Sequence, residues 1–424
     1  MIRETVLPFK LAITDEMLTP FSGLALFGEF LRAAGLDTEV GRAFPAPGSA
    51  KGYTAWEYVQ PLLLMLHGGG RALEDLRKIG ADRGLLRLLE IKSTPSSDAT
   101  GDWLRRLGLA GVEAMDHVNR EILKRALRSD GRAWYTLDID ATGIEADKAL
   151  AEWTYKKYKG YMPIAGHLAE NGLVVAHEFR EGNVSPNTRN LEFYKQCKKA
   201  MPAGKRVGAF RADSASYQGK LLDLLHHDKV SYAVGGQLDA ATLEAIKSIP
   251  ANAWRPYRDG FIAETVHTMN IMKTAFRLIV FKRLRQGSLF EGDGHNYHVV
   301  ASNRWEETAG ATLDWYHQRG EHSENRIKEL KLDFGMERMP CGQFAANALF
   351  FATGVLAYNL FKLFVRKALP ASWRTRRALS VRYDLYAVAG KVVSTGGQLL
   401  LRVSSAAYER FAQVRHAVAR MESG

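Results

Sequence analysis

Past Gly131 the apolar residues stop recurring at helical spacing and begin to alternate, and this change of period limits the fold more than any other feature of the chain. Before it, from Phe21 to Arg128, positions such as Leu24, Phe27, Phe30 and Leu31, then Leu62, Leu63 and Leu66, recur every few residues between Gly and Pro breaks. Beyond it lie short β-rich runs at Trp134 to Asp140, Tyr161 to Leu168 and Leu173 to Phe179. A helical stretch from Asn190 to Ala200, the run Val207 to Ala212, a helix from Tyr217 to His227 and the run Val230 to Val234 come next.

The order β-β-β-α-β-α-β is that of an RNase H-like α/β domain. From Gly235 to Trp305 the chain is too long for a loop and has strand-like pieces at Phe276 to Phe281 and Tyr297 to Ala301, which predicts a β-rich insertion. Helical spacing resumes from Glu307 to Leu332. Past Pro370 come a basic stretch, Trp373-Arg374-Thr375-Arg376-Arg377, a hairpin turning at Thr395-Gly396-Gly397, and an amphipathic helix through Tyr408, Phe411, Val414 and Val418. Upstream, Pro95-Ser96-Ser97-Asp98 starts a helix whose turns through Arg106 either read DNA or form a plain surface.

An excess of 58 Lys and Arg over 46 Asp and Glu, formally +12, favours a polyanionic partner. Cys197 and Cys341 are the only cysteines, too far apart for a CxxC pair, so a disulfide framework and a cysteine zinc site are both excluded. The apolar segment Phe344 to Val365 carries Asn347, Thr353, Gly354, Asn359 and Lys362, expensive in lipid, and is expected to be a buried core helix. With no charged and then apolar leader after Met1, the expectation is a cytoplasmic protein without a membrane partner.

Chemistry is concentrated in three acidic blocks. In Leu137-Asp138-Ile139-Asp140-Ala141-Thr142 two carboxylates share one face of a strand, and acids on a buried strand need a cation. In Arg211-Ala212-Asp213 a further acid ends the strand expected beside the first. The third block, Tyr316 to Lys331, places Glu324 and Lys331 seven apart on one helical face, a hard oxygen donor beside a cation suited to phosphate.

Together these blocks resemble the DDE transposases of bacterial insertion sequences, in the branch with a Tyr-Arg-Glu-Lys signature and a β-insertion, and within it the group named insertion sequence thirteen-eighty, whose Leu-Asp-x-Asp-x-Thr strand matches Leu137 to Thr142. The resemblance implies Asp140, Asp213 and Glu324 as catalytic, metal-binding acids, with Glu321 a minor alternative to Glu324. It implies two Mg2+ ions, with Mn2+ as a substitute, and Tyr316, Arg319 and Lys331 as DNA-phosphate contacts. The chain departs from the signature in placing four residues rather than three between Arg319 and Glu324, so either the helix is distorted near Gly320 or Arg319 is not the equivalent residue.

The implied organisation is a helical DNA-binding region over 1–130, an RNase H-like catalytic core over 131–234 and 306–366, the β-insertion at 235–305, and a basic C-terminal region at 367–424. The implied partners are double-stranded DNA with terminal inverted repeats and target DNA, engaged by a homodimer. The implied reaction is metal-dependent cleavage at transposon ends, through a hairpin, followed by strand transfer.

Blander readings compete. A lone Asp138 or Asp140 is as often an ion-paired structural acid, and a lone Glu324 is more often a solvated helix residue. Trp305 and Trp254 fall where related transposases stack a flipped base, but a packed core tryptophan is the more ordinary reading. Arg180-Glu181-Gly182-Asn183 reads as a structural turn, His226-His227-Asp228 as a helix end, and His67-Gly68-Gly69-Gly70 lacks the G-x-S-x-G partner of an esterase. Two other functions stand beside transposition: an RNase H-like nuclease without strand transfer, and a non-catalytic DNA-binding descendant of a transposase.

Overall fold

The computed structural model of the protein describes residues 10–49, 52–284, 295–320 and 325–422. The chain opens with Leu18–Thr19 (β1) and the helices Ser22–Ala33 (α1), Leu36–Ala43 (α2), Ala55–Gly68 (α3), Leu76–Ala81 (α4), Arg83–Leu88 (α5) and Ser97–Arg128 (α6). Local chemistry sets their ends. Thr54 and Glu57 exchange side-chain and backbone hydrogen bonds of 2.7 and 3.3 Å to open α3, and the Ser96 hydroxyl accepts the Ala99 amide to open α6. Helix α6 kinks at Gly108, whose φ of 49° costs a glycine little.

The middle of the chain supplies Trp134–Ala141 (β2), Ile144–Glu145 (β3), Glu152–Trp153 (β4), Lys159–Tyr161 (β5), Ile164–Leu168 (β6), Val174–Glu178 (β7), Asn190–Ala200 (α7), Arg206–Ala212 (β8), Gly219–His227 (α8) and Ser231–Gly235 (β9). Ala240–Lys247 (α9) then leads to Arg255–Tyr257 (β10), Gly260–His267 (β11), Phe276–Leu284 (β12) and His295–Ser302 (β13). The remainder is Ala309–Arg319 (α10), Asn325–Lys328 (α11), Phe344–Lys367 (α12), Ala378–Val381 (α13), Gly390–Thr395 (β14), Gln398–Arg402 (β15) and Ser405–Glu422 (α14).

Among the described residues these strands build a large mixed sheet in the order β10-β11-β12-β13-β9-β8-β2-β6-β7. Strand β8 runs parallel to β2, and β9 parallel to β8, while β6 is antiparallel to β2. The strands expected as an insertion hydrogen-bond directly onto the edge of β9, so they extend the central sheet instead of forming a sheet of their own. Helix α9 and strands β10 and β11 were not legible in the sequence, because their alternation is broken by exposed apolar residues such as Phe261 and Val266.

Leu137 and Phe210 point to the face covered by α7, where the Phe210 and Tyr194 rings meet edge to face at 5.7 Å. The opposite face is covered by α10 and α12, and α6 packs along α12. Helix α12 is long and apolar enough to cross a membrane, but 94% of its apolar window is buried inside the protein. Its polar residues serve packing: Asn359 accepts the Val174 amide at 2.8 Å and donates to Asn119 on α6, and Asn347 donates to Tyr161. Along the first turns of α6 Thr100, Trp103 and Leu104 are buried, while Asp98, Asp102, Arg105 and Arg106 face outward. The two ends of the chain meet where β1 pairs with β14.

Candidate active site

The two acids of β2 have different fates. Asp138 is fully buried and receives both Nε and one terminal nitrogen of Arg211, at 2.8 and 2.9 Å. The other terminal nitrogen of Arg211 donates to the Trp315 carbonyl at 2.6 Å, and the Trp315 ring lies between the Arg211 and Arg304 guanidiniums. This closed pair ties β2 and β8 to α10. Asp138 is therefore committed to structure, whereas Asp140, two residues on along the same face, lies at the carboxyl end of the strand and is partly open to solvent.

The parallel register pairs Ile139 with Ala212, so Asp140 and Asp213 follow at the adjacent carboxyl ends of β2 and β8. Asp213 caps the turn Ser214–Ser216 by accepting the Ala215 amide at 3.1 Å, which fixes its carboxylate. Gly235 ends β9 beside this turn. A β-carbon there would stand 2.7 Å from the Tyr316 hydroxyl and 3.1 Å from the Ser214 amide, so only glycine lets Tyr316 close over the turn. Tyr316 is held by a second apolar cluster, with Leu313 of α10 against Ile279, Phe281 and Val300 of β12 and β13. The added strands thus position the helix that faces the acid pair.

Arg319, at the last turn of α10, is buried and meets Asp140 at 3.3 Å. Burial opposes its charge, but Asp140, then Tyr316, Asp213 and Asp138, more than offset this and raise its pKa above the ordinary value. Gly320 follows α10 with helical φ and ψ of −55° and −48°. Glu324 and Glu321 lie outside the described residues. Lys331 sits in a π-turn, Glu329–Asp333, and donates to the Gly143 carbonyl at 2.7 Å, next to Thr142 and hence past the end of β2. Burial lowers its pKa. Thus Asp140, Asp213, Tyr316, Arg319 and Lys331 gather at one end of the sheet. Among the described residues no group of three His, Cys, Asp or Glu side chains is placed to hold a metal ion.

Trp305 is 49% exposed in the turn after β13, which overturns the core reading for that residue. Trp254 is partly buried, with the Lys282 ammonium 3.8 Å from its ring centroid. The Arg180 turn is structural: Arg180 is buried against Glu178 and the Phe193 ring, and a β-carbon at Gly182 would strike the Glu152 and Gly160 carbonyls. Asp228 ends α8 and accepts from Tyr194 and Lys198, and His67 is a core residue bonded to Tyr386 and the Ala357 carbonyl. Sequence reasoning missed Arg211 and Gly235; the signal for Arg211 was a cation flanked by Phe210 and Ala212 in a buried strand, which requires an acid opposite.

The family model for the transposase DDE domain, group 1, matches residues 8–423. The chain belongs to this family of DDE transposases. A comparison with curated protein sequences finds no match. Among solved structures, a cryo-EM structure of a piggyBac transposase synaptic complex with hairpin DNA is similar, at 11% identity and a TM-score of 0.47 over 97% of this chain and 83% of that one.

Proposed function

We propose that the chain is a DNA transposase that cuts at the ends of an insertion sequence and joins them to target DNA, with Asp140, Asp213 and Glu324 as its metal-binding catalytic acids. The observation that carries this reading is the emergence of Asp140 and Asp213 from neighbouring parallel strands beside a buried guanidinium. The strand order β7-β6-β2-β8-β9 supports an RNase H-like core with β10 to β13 as its insertion. The position of Arg319 against Asp140 and near Asp213 favours it as the signature arginine of the insertion sequence thirteen-eighty group.

The donor set fits divalent ions, two Mg2+ or Mn2+ in their place: hard carboxylate oxygens stand together and already draw a cation, Arg319, onto Asp140. Such ions, when bound, supply Lewis-acid stabilisation of the attacking and leaving oxygens of a phosphodiester. Arg319 orients Asp140 and presents its remaining donors to a scissile phosphate. Tyr316 closes the site over the Asp213 turn, and Lys331, anchored by Gly143, offers an ammonium proton to a phosphate oxygen on the same DNA strand. The exposed Trp305 ring suits a base flipped out beside a hairpin end. The partners of this reading are double-stranded DNA with terminal inverted repeats, read by the N-terminal helical region, and target DNA, held by a homodimer in the bacterial cytoplasm at the nucleoid.

Precleaved transposon ends with a free 3′-OH separate the readings. A transposase joins them to target DNA, whereas a nuclease only hydrolyses. Asp140→Asn and Asp213→Asn should each slow cleavage at least about a hundredfold, the loss of roughly 3 kcal/mol of transition-state stabilisation, while DNA binding persists. Cutting at the wild-type rate by both variants refutes the assignment.

A further inference from the structure

A second cationic site lies away from the acid pair. A cavity of about 680 Å3 opens between the β6–β7 turn, the C-terminal half of α12 and the basic stretch before α13, and seven of its fifteen lining residues are Arg or Lys against two Glu. Both glutamates are already engaged. Glu170 accepts the Thr136 amide at 2.9 Å, and Glu329 takes the Ala378 amide and the Lys362 ammonium.

The cations are compensated unevenly. Arg132 and Arg366 share the single carboxylate of Asp130, at 3.2 and 3.5 Å, and Arg376 and Arg377 pair with Asp384 and Asp333. Among the described residues Arg326 donates to neutral carbonyls alone, those of Leu168 and Ala169, at 3.0 and 2.5 Å. A β-carbon on Gly172 would stand 3.2 Å from its Nε, so this left-handed glycine makes room for the guanidinium. Arg374 is exposed, and its side chain has no hydrogen-bond or ion-pair partner among the described residues. Among the described residues two guanidiniums thus face one cavity without a carboxylate, and clustered guanidiniums suit the fork geometry of a phosphate.

The position of the cavity defines the ligand. Leu168 lies opposite Leu137 and Ala169 bonds to Thr136, so Arg326 sits three to four residues back along β2 from Asp140. At about 3.3 Å per residue this is about 10–13 Å, the span of a few nucleotides of one DNA strand. We propose that this cavity docks a backbone phosphate of the DNA a few nucleotides from the scissile phosphate, with Arg326 and Arg374 as its principal ligands. The inference rests on the transposase reading, and names a contact outside the three acidic blocks.

The test uses the full chain and a mixed-sequence duplex of about 40 base pairs, with affinity followed by fluorescence anisotropy between about 50 and 200 mM salt. Arg374→Ala should lower the steepness of log K against log salt by about 0.9, and Arg326→Ala with Arg374→Ala by about 1.8, with unchanged melting temperature for the exposed single variant. A wild-type protein whose binding is salt-dependent, but whose slope both variants leave unchanged, overturns the docking site and leaves the transposase reading intact. Wild-type binding with no salt dependence overturns both. Calorimetric binding of inorganic phosphate that Arg374→Ala abolishes, with the DNA slope unchanged, assigns the cavity to free phosphate and also overturns DNA docking.

Discussion

Replacing Asp138 by Asn separates the structural acid of β2 from its neighbour. The substitution keeps the shape of the side chain and removes its charge, leaving Arg211, itself 1% exposed, buried without a counter-ion. Breaking a buried ion pair from one side costs about 3–5 kcal/mol, because the surviving charge has neither water nor a partner. Asp140 is partly open, and the Arg319 it meets at 3.3 Å also feels Asp213 and Asp138, so Asp140→Asn should cost less stability than Asp138→Asn while cleavage is lost. Chemical denaturation followed by tryptophan fluorescence reads the difference as a shift in midpoint at constant slope. Replacing both members, Asp138→Leu with Arg211→Met, should recover most of the loss, since an intact buried pair contributes little net stability relative to apolar residues of similar size. Equal losses for Asp138→Asn and Asp140→Asn, or no recovery in the double variant, refute the division of roles.

His167 is buried, with no hydrogen-bond partner at either ring nitrogen among the described residues, and burial, reinforced by Arg326 and Lys362, lowers its pKa to about 3. The unfolded chain takes up a proton near the ordinary value of about 6.5 and the folded chain does not, so stability should fall with acidification between those values by up to about 1.4 kcal/mol per pH unit and level off below about 3. His167→Leu should flatten that dependence in pH-dependent denaturation, and an unchanged slope counts against the buried neutral imidazole. Gly235→Ala should cut cleavage about tenfold or more by pushing Tyr316 and the Asp213 turn apart, with DNA affinity within about twofold of wild type; full activity in a cleavage assay would show that the Tyr316 contact does not matter.

Local order was readable directly where one periodicity dominates. Helix α7 and strands β2, β8 and β9 stand within a residue or two of their expected bounds, because each buries a regular face. The spacing of Arg319 and Glu324 departs from the signature, and the segment between them lies outside the described residues. What was written in the chain was the type of the elements and the strand ends at which Asp140 and Asp213 fall. Which acid of β2 is locked into a fully buried pair depended on Arg211 arriving from β8 through a pairing 73 residues away, and no local pattern encodes that meeting. The same holds for the strands beyond β9: their composition signals β-structure, but only the open edge of β9 makes them a continuation of one sheet and so a support for α10. Side-chain period reports how a segment faces a core, while partner choice is settled by the free energy of closing distant segments together, a property of the whole packed chain.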